Sequence, residues 1–170
     1  VDECGRLLYG DELSALFARE VLERCPGSLI LADIKSSVRL FADIKAHGGK
    51  VKMSPTGHSL IKAMMKQDNA AFAGDVSGHM YFGTADWFGF DDAFYGAAKL
   101  AGILASSNTF LSALPGWEQY HSTPEILIPC EDTQKNHVIA ETAVYFRTLF
   151  SENKEPVEIF PSLLTKVVTF

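Results

Sequence analysis

Three short stretches carry residue types from which a ligand site can be assembled. In Ala73-Gly74-Asp75-Val76-Ser77-Gly78-His79, two glycines bracket an acid and a hydroxyl, and an imidazole follows. A carboxylate accepts hydrogen bonds from neighbouring hydroxyls, and a serine both donates and accepts. That pairing suits a vicinal diol, although the same residues also build a plain polar turn. In Ser54-Pro55-Thr56-Gly57-His58-Ser59, followed by Lys62, a polar cluster precedes an apolar helical pattern. Backbone N–H groups at a helix start attract anions, so this cluster fits a phosphate or sugar phosphate. Capping of that helix by Thr56 or Ser59 is the structural alternative. In Asp33-Ile34-Lys35-Ser36-Ser37, a lysine follows directly on an apolar run. It either reaches a ligand or lies in solvent beside a helix capped by Ser36 or Ser37. A fourth stretch, Asp86-Trp87-Phe88-Gly89-Phe90-Asp91-Asp92, offers rings that either stack on a sugar or pack in a core. Asp91 and Asp92 read more readily as helix caps than as acids.

The elements that must position these residues follow from periodicity. Leu29 to Ala32, Val51 to Met53, Ala70 to Ala73 and Met80 to Phe82 are short apolar runs of the kind found in buried strands. Helical patterns lie between and beside them. The first, capped by Asp11, has Leu13, Leu16, Phe17 and Val21 inward and stops at Pro26-Gly27. In the second, Val38, Phe41 and Ile44 point inward, and it ends at Gly48-Gly49. A third runs from about His58 to Gln67 with Leu60, Ile61, Met64 and Met65 on its apolar face. The fourth starts near Asp91.

This alternation predicts an α/β fold: a three-layer α/β/α domain with a mixed, partly parallel sheet of about four strands. Loops following parallel strands gather at one edge, where ligands bind. The expected contributors are the loops after Asp33, at Ser54 to His58, at Gly74 to His79 and at Asp86 to Asp92. Beyond about residue 105 the texture changes. His121 to Pro129 reads as extended, Lys135 to Phe150 as helical, and Val157 to Phe160 and Lys166 to Phe170 as strands. This part reads as a truncated α+β C-terminal segment.

Composition excludes several classes. Hydrophobic residues make up 47% and charged residues 21%, which is globular. A net charge of -6 argues against nucleic acid as a partner. The apolar runs are too short to span a membrane, and no export leader is legible. Cys4, Cys25 and Cys130 are scattered without metal-ligand spacing, so no metal site is expected and reduced thiols in a cytoplasm are. His47, His121 and His137 are isolated. No nucleophile elbow, dinucleotide fingerprint or phosphate-binding Lys loop occurs. The chain begins at Val1, and it is expected to be a piece of a longer protein.

Taken in order, the segments resemble the third domain of the phosphomannomutase/phosphoglucomutase group of phosphohexomutases. The resemblance is carried by Tyr9-Gly10-Asp11, Asp33-Ile34-Lys35, Gly48-Gly49, Thr56-Gly57-His58-Ser59-Leu60-Ile61-Lys62, Gly74-Asp75-Val76-Ser77-Gly78-His79 and Gly89-Phe90-Asp91-Asp92. Ser122-Thr123-Pro124-Glu125 is similar to the join into a fourth domain. The resemblance implies residues 1–9 as the tail of a metal-binding domain, 10–120 as the sugar-binding domain, and 121–170 as a linker and partial C-terminal domain. It also implies an enzyme interconverting hexose 1-phosphate and 6-phosphate (mannose or glucose) through a phosphoserine and a hexose 1,6-bisphosphate. Mg²⁺ would be held by residues outside this chain, as would the phosphoserine. The other domains of the parent chain and a hexose phosphate are the implied partners.

On this resemblance, Asp75 and Ser77 grip O3 and O4, which nearly exchange places when the sugar turns over. Lys35, Gly57 and His58 contact the sugar or its phosphate, and His79 is the residue placed to assist proton transfer. The family usually has Glu where this sequence has Asp75, one methylene shorter. Two alternatives stand beside this reading: a non-catalytic sugar-phosphate binding module, and a phosphoglucosamine mutase fragment. Val76 favours the hexose group over the latter.

Overall fold

Breakers at Pro26-Gly27, Gly48-Gly49 and Asn69 cut the chain into segments just long enough for one helix or one strand each. The structure, a computed structural model, describes residues 1–83, 86–107, 128–151, 159–161 and 166–168. By its contacts the chain divides into two units, Val1–Gln119 and Tyr120–Phe170. In the first, the order is α1 (Gly10–Arg24), β1 (Leu29–Asp33), α2 (Val38–Ala46), β2 (Lys50–Ser54), α3 (His58–Asp68), β3 (Phe72–Gly74), β4 (Met80–Phe82) and α4 (Ala93–Ser107). The second contains α5 (Lys135–Ser151) and an antiparallel pair, β5 (Ile159–Pro161) and β6 (Lys166–Val168). The predicted extended run from His121 lies outside the described residues up to position 127, as does the join at Ser122 to Glu125.

The sheet of the first unit has four strands in the order β2-β1-β3-β4. β1 pairs in parallel with β2 and β3, while β3 and β4 are antiparallel. This is the mixed, partly parallel sheet that the alternation predicts. Side chains alternate across it. Ile30, Ala32, Phe72, Met80 and Phe82 pack against α1, α2 and α4, whereas Leu31, Ala73 and Tyr81 pack against Ile61 and Met65 of α3. Helices therefore cover both faces, giving three layers.

An aromatic core anchors the first face. Phe82 contacts Phe17 edge-on at 5.2 Å between centroids, lies 5.2 Å from Phe72, and meets Tyr95 of α4 edge-on at 5.0 Å. At the far end of α1, Arg24 donates to both oxygens of Asp86, at 2.6 and 2.5 Å. The guanidinium holds the Asp86 carboxyl below the usual carboxylate range. At the free side of the sheet, Lys52 of β2 reaches Asp68 of α3 at 2.7 Å.

Three local expectations are corrected. Asp11 does not cap α1. The cap lies two residues earlier, at Tyr9, and Glu12 accepts the Tyr9 amide at 2.9 Å. α2 turns Leu40 and Ile44 inward and leaves Val38 63% exposed, because Val38 falls at the first helical position, beyond the sheet. The Asp86 to Phe90 stretch does not join the loops at the ligand edge. β4 runs antiparallel, so its C-terminal end points to the opposite edge, where the Gly89 amide donates to the Phe82 carbonyl at 3.1 Å. Trp87 stacks on Tyr95 at 4.3 Å there, in the packing role that was the alternative to stacking on a sugar.

Phe82 is fully buried and touches three aromatic rings. Phe82→Ala is expected to destabilise the first unit by about 3–5 kcal/mol. Urea unfolding followed by near-ultraviolet circular dichroism measures this, and a loss under about 1 kcal/mol would contradict the packing described.

Candidate functional site

The register sets which residues share an edge. Asp33 pairs with Ser54, and Ala32 with Gly74, so β1, β2 and β3 end side by side. Lys35, the Thr56-Gly57-His58 segment and the Asp75–His79 turn all leave the sheet at this edge.

The Asp75–His79 segment is the hairpin between β3 and β4. The Gly78 amide donates to the Asp75 carbonyl at 3.2 Å, closing a β-turn with Val76 and Ser77 at its tip. Gly78 has φ +93°, a conformation in which a side chain would be strained. Asp75 is buried, whereas Ser77, Gly78 and His79 are exposed. The Asp75 carboxylate is committed within the turn. Oδ1 accepts the His79 amide at 3.0 Å, and Oδ2 lies 3.1 Å from His79 Nδ1. A carboxylate only accepts, so the hydrogen in this contact belongs to Nδ1. Asp75 and Ser77 thus differ in exposure, the acid buried and the hydroxyl at the surface. Each Asp75 oxygen accepts one protein donor and keeps a lone pair, and Ser77 and His79 lie exposed beside it.

The backbone of α1 seats this turn. A Cβ on Gly10 would lie 2.2 Å from the Asp75 carbonyl oxygen and 2.7 Å from the Gly78 nitrogen. A Cβ on Gly74 would lie 2.0 Å from Ser14 Oγ. Ser14 is itself buried and donates to the Gly10 carbonyl at 2.7 Å. Beside this contact, Asp11 Oδ2 accepts the Ser37 amide at 3.1 Å, so the first turn of α1 also holds the end of the Lys35 loop. Ser37 in turn caps α2 by accepting the Arg39 amide at 3.3 Å. Neither Gly10 nor Ser14 stands out as functional from residue chemistry. Their signal is the small side chain where a helix start must meet a turn.

The third loop differs from its expected capping. Gly57, at φ +125°, is the N-cap of α3, and no side chain caps that helix. Thr56 instead donates its hydroxyl to Asp33 Oδ1 at 2.8 Å. Asp33 Oδ1 also accepts the Lys35 amide at 3.2 Å. Burial pushes the Asp33 carboxyl above the ordinary aspartate value, partly offset by these two donors and by the Lys35 charge. Burial likewise raises Tyr81, with the Asp75, Asp91 and Asp33 carboxylates adding to the effect. At α4, Asp92 accepts the Phe94 and Tyr95 amides at 2.9 and 3.0 Å, so it caps that helix as its residue type suggests.

The family model for phosphoglucomutase/phosphomannomutase, alpha/beta/alpha domain III, matches residues 9–120. The chain belongs to the phosphoglucomutase/phosphomannomutase family. It is 41% identical over 141 residues to a phosphoglucomutase of Neisseria gonorrhoeae, covering 83% of this chain and 30% of that protein. It is 43% identical over 143 residues to a phosphomannomutase/phosphoglucomutase of Pseudomonas aeruginosa, covering 82% and 30%. A crystal structure of a phosphoglucomutase/phosphomannomutase family protein from Burkholderia thailandensis superposes with a TM-score of 0.60 at 41% identity, over 66% of this chain and 25% of that one. The chain therefore spans about a third of the length of these family members. Among its described residues no group of three His, Cys, Asp or Glu side chains is placed to hold a metal ion. No helix among them is long and apolar enough to cross a membrane.

Two measurements test the site's construction in this domain III. Gly10→Ala forces α1 and the turn apart and is expected to cost about 1–3 kcal/mol. It should also shift the Gly78 and His79 amide resonances, whereas Gly102→Ala, on the helical backbone of α4 with open space around it, leaves them in place. Asp33 supplies a pH signature. Its folded form binds the proton more tightly than its unfolded form, so its ionisation weighs against folding. That cost is absent below the unfolded value and is fully present above the folded one. The stability of Asp33→Asn relative to the unmodified chain should therefore increase from about pH 3 to about pH 8. Urea midpoints across that range measure it, and a flat difference contradicts the buried carboxyl.

Proposed function

We propose that this chain supplies sugar recognition to a longer phosphohexomutase that interconverts hexose 1-phosphate and 6-phosphate through a phosphoserine and a hexose 1,6-bisphosphate. The observation that supports this most is the meeting of three loops at one sheet edge, with Ser77 and His79 outward and an uncapped helix start beside them. The family membership over residues 9–120 supports the same reading. The phosphoserine, the Mg²⁺ ligands and the remaining domains would lie outside this chain. A cytoplasmic location fits the three unpaired cysteines.

In this reading Ser77 donates to and accepts from adjacent sugar hydroxyls. Asp75 contributes a remaining lone pair from beneath and holds the His79 ring. His79 Nε2 is the acceptor for the proton of the hydroxyl that takes up phosphate, since an imidazole exchanges protons near neutral pH. The α3 amides at His58 and Ser59, together with Lys35 and His58, face the phosphate. An anion at such a helix start is stabilised by N–H groups that no side chain occupies. Because the hydroxyls at O3 and O4 nearly exchange places when the sugar turns over, one turn can serve both poses.

In the full-length protein, Ser77→Ala is expected to lower kcat/KM for glucose 1-phosphate by roughly three- to tenfold, the worth of one net hydrogen bond. Coupled assays with glucose 1-phosphate, mannose 1-phosphate and glucosamine 1-phosphate measure it and separate the hexose from the glucosamine reading. A full-length protein that binds hexose phosphate without interconverting it supports the binding-module alternative. Wild-type kinetics in Ser77→Ala remove the site assignment.

A further inference from the structure

Asp33 ends β1 at the midpoint of the site edge, and its side chain is fully buried. One of its oxygens, Oδ1, receives two donors from two different loops: the Thr56 hydroxyl at 2.8 Å and the Lys35 amide at 3.2 Å. The other oxygen, Oδ2, is buried with no hydrogen-bond partner, as is the hydroxyl of its register neighbour Ser54. A buried carboxylate with an unmet oxygen weighs against the folded state. What the carboxylate adds is a single acceptor within reach of both loops at once.

We propose that Asp33 is a positioning residue that locks the Lys35 loop to the Thr56-Gly57-His58 loop through its shared Oδ1, fixing the phosphate-facing groups in one arrangement. This rests on the sugar-phosphate reading above and extends it to a residue that touches no ligand. The geometry supports the direction of the effect. Thr56 immediately precedes Gly57, whose φ of +125° turns the chain into α3. Tethering the Thr56 side chain to the end of β1 therefore sets where the first α3 amides stand relative to Lys35. Without the tether, each loop samples positions independently, and binding a phosphate must first bring them together.

The test is Thr56→Val in the full-length protein, which removes the hydroxyl and nearly keeps the volume. KM for glucose 1-phosphate is expected to rise roughly fivefold, and by more than kcat falls, as one positioning hydrogen bond is lost. Thr56→Ser keeps the hydroxyl and restores KM. Thr56→Ala gives the same rise if the valine variant folds poorly. A purely structural role for this bond lowers the melting temperature but leaves KM of the folded protein unchanged, and that result overturns the proposal. Ser77→Ala is run alongside. If it impairs the enzyme while Thr56→Val and Thr56→Ala keep the wild-type KM, the coupling alone is wrong. If all three behave as wild type, the sugar-phosphate reading falls, and the coupling with it.

Discussion

The site depends on two backbones lying against each other with no side chain between them. The first turn of α1 rests on the Asp75–Gly78 turn at a distance that excludes even a methyl group at Gly10. The same closeness recurs at Gly74 against Ser14. Interiors are packed densely enough that such contacts resist small displacements. The hairpin tip is therefore located by the helix, and the helix by the aromatic core around Phe17, Phe72 and Phe82. From that fixed point the order passes outward through hydrogen bonds: Asp11 to Ser37, and Asp33 to Lys35 and Thr56.

The site is layered by polarity. Acceptors lie inside: Asp33 and Asp75 are buried, and both spend oxygens on protein donors. The exposed layer carries Ser77, His79 and His58. The buried carboxylates fix the geometry of the turns, and the exposed groups remain in contact with solvent. The shorter acid at position 75 is consistent with this division. From a buried position it reaches the His79 amide and ring together, and Ser77 and His79 form the exposed surface of the turn.

Much of this was legible in the residues themselves. The four apolar runs became the four strands, because short β-rich segments between breakers have few other ways to bury themselves. Sheet order and the antiparallel turn of β4 were not legible, and they decide that Asp86 to Phe90 leaves by the opposite edge. The ligand-edge loops after β1, β2 and β3 followed from the parallel pattern. The partners of Asp75 and Thr56 did not follow, since they depend on where each side chain points once the strands are in register. Thr56 illustrates this: its residue type suits a cap, yet Asp33 at the end of the neighbouring strand takes its hydroxyl.

One strand has a consequence for how the molecule meets its neighbours. β2 lies at the outer margin of the sheet, so its far side presents backbone groups that no other described strand engages. Such a flank invites a second chain to add on. Here Lys50 and Lys52 occupy two of its five positions, and both are exposed. Another strand added here would run beside the Lys50 ammonium and the Lys52–Asp68 ion pair, and charged side chains on an edge are a recognised deterrent to edge-to-edge growth. At the other margin, Asp91 forms an isolated antiparallel bridge to Tyr81 of β4. Each margin of the described sheet thus carries charged residues beside its edge backbone, which lowers what an added strand would gain.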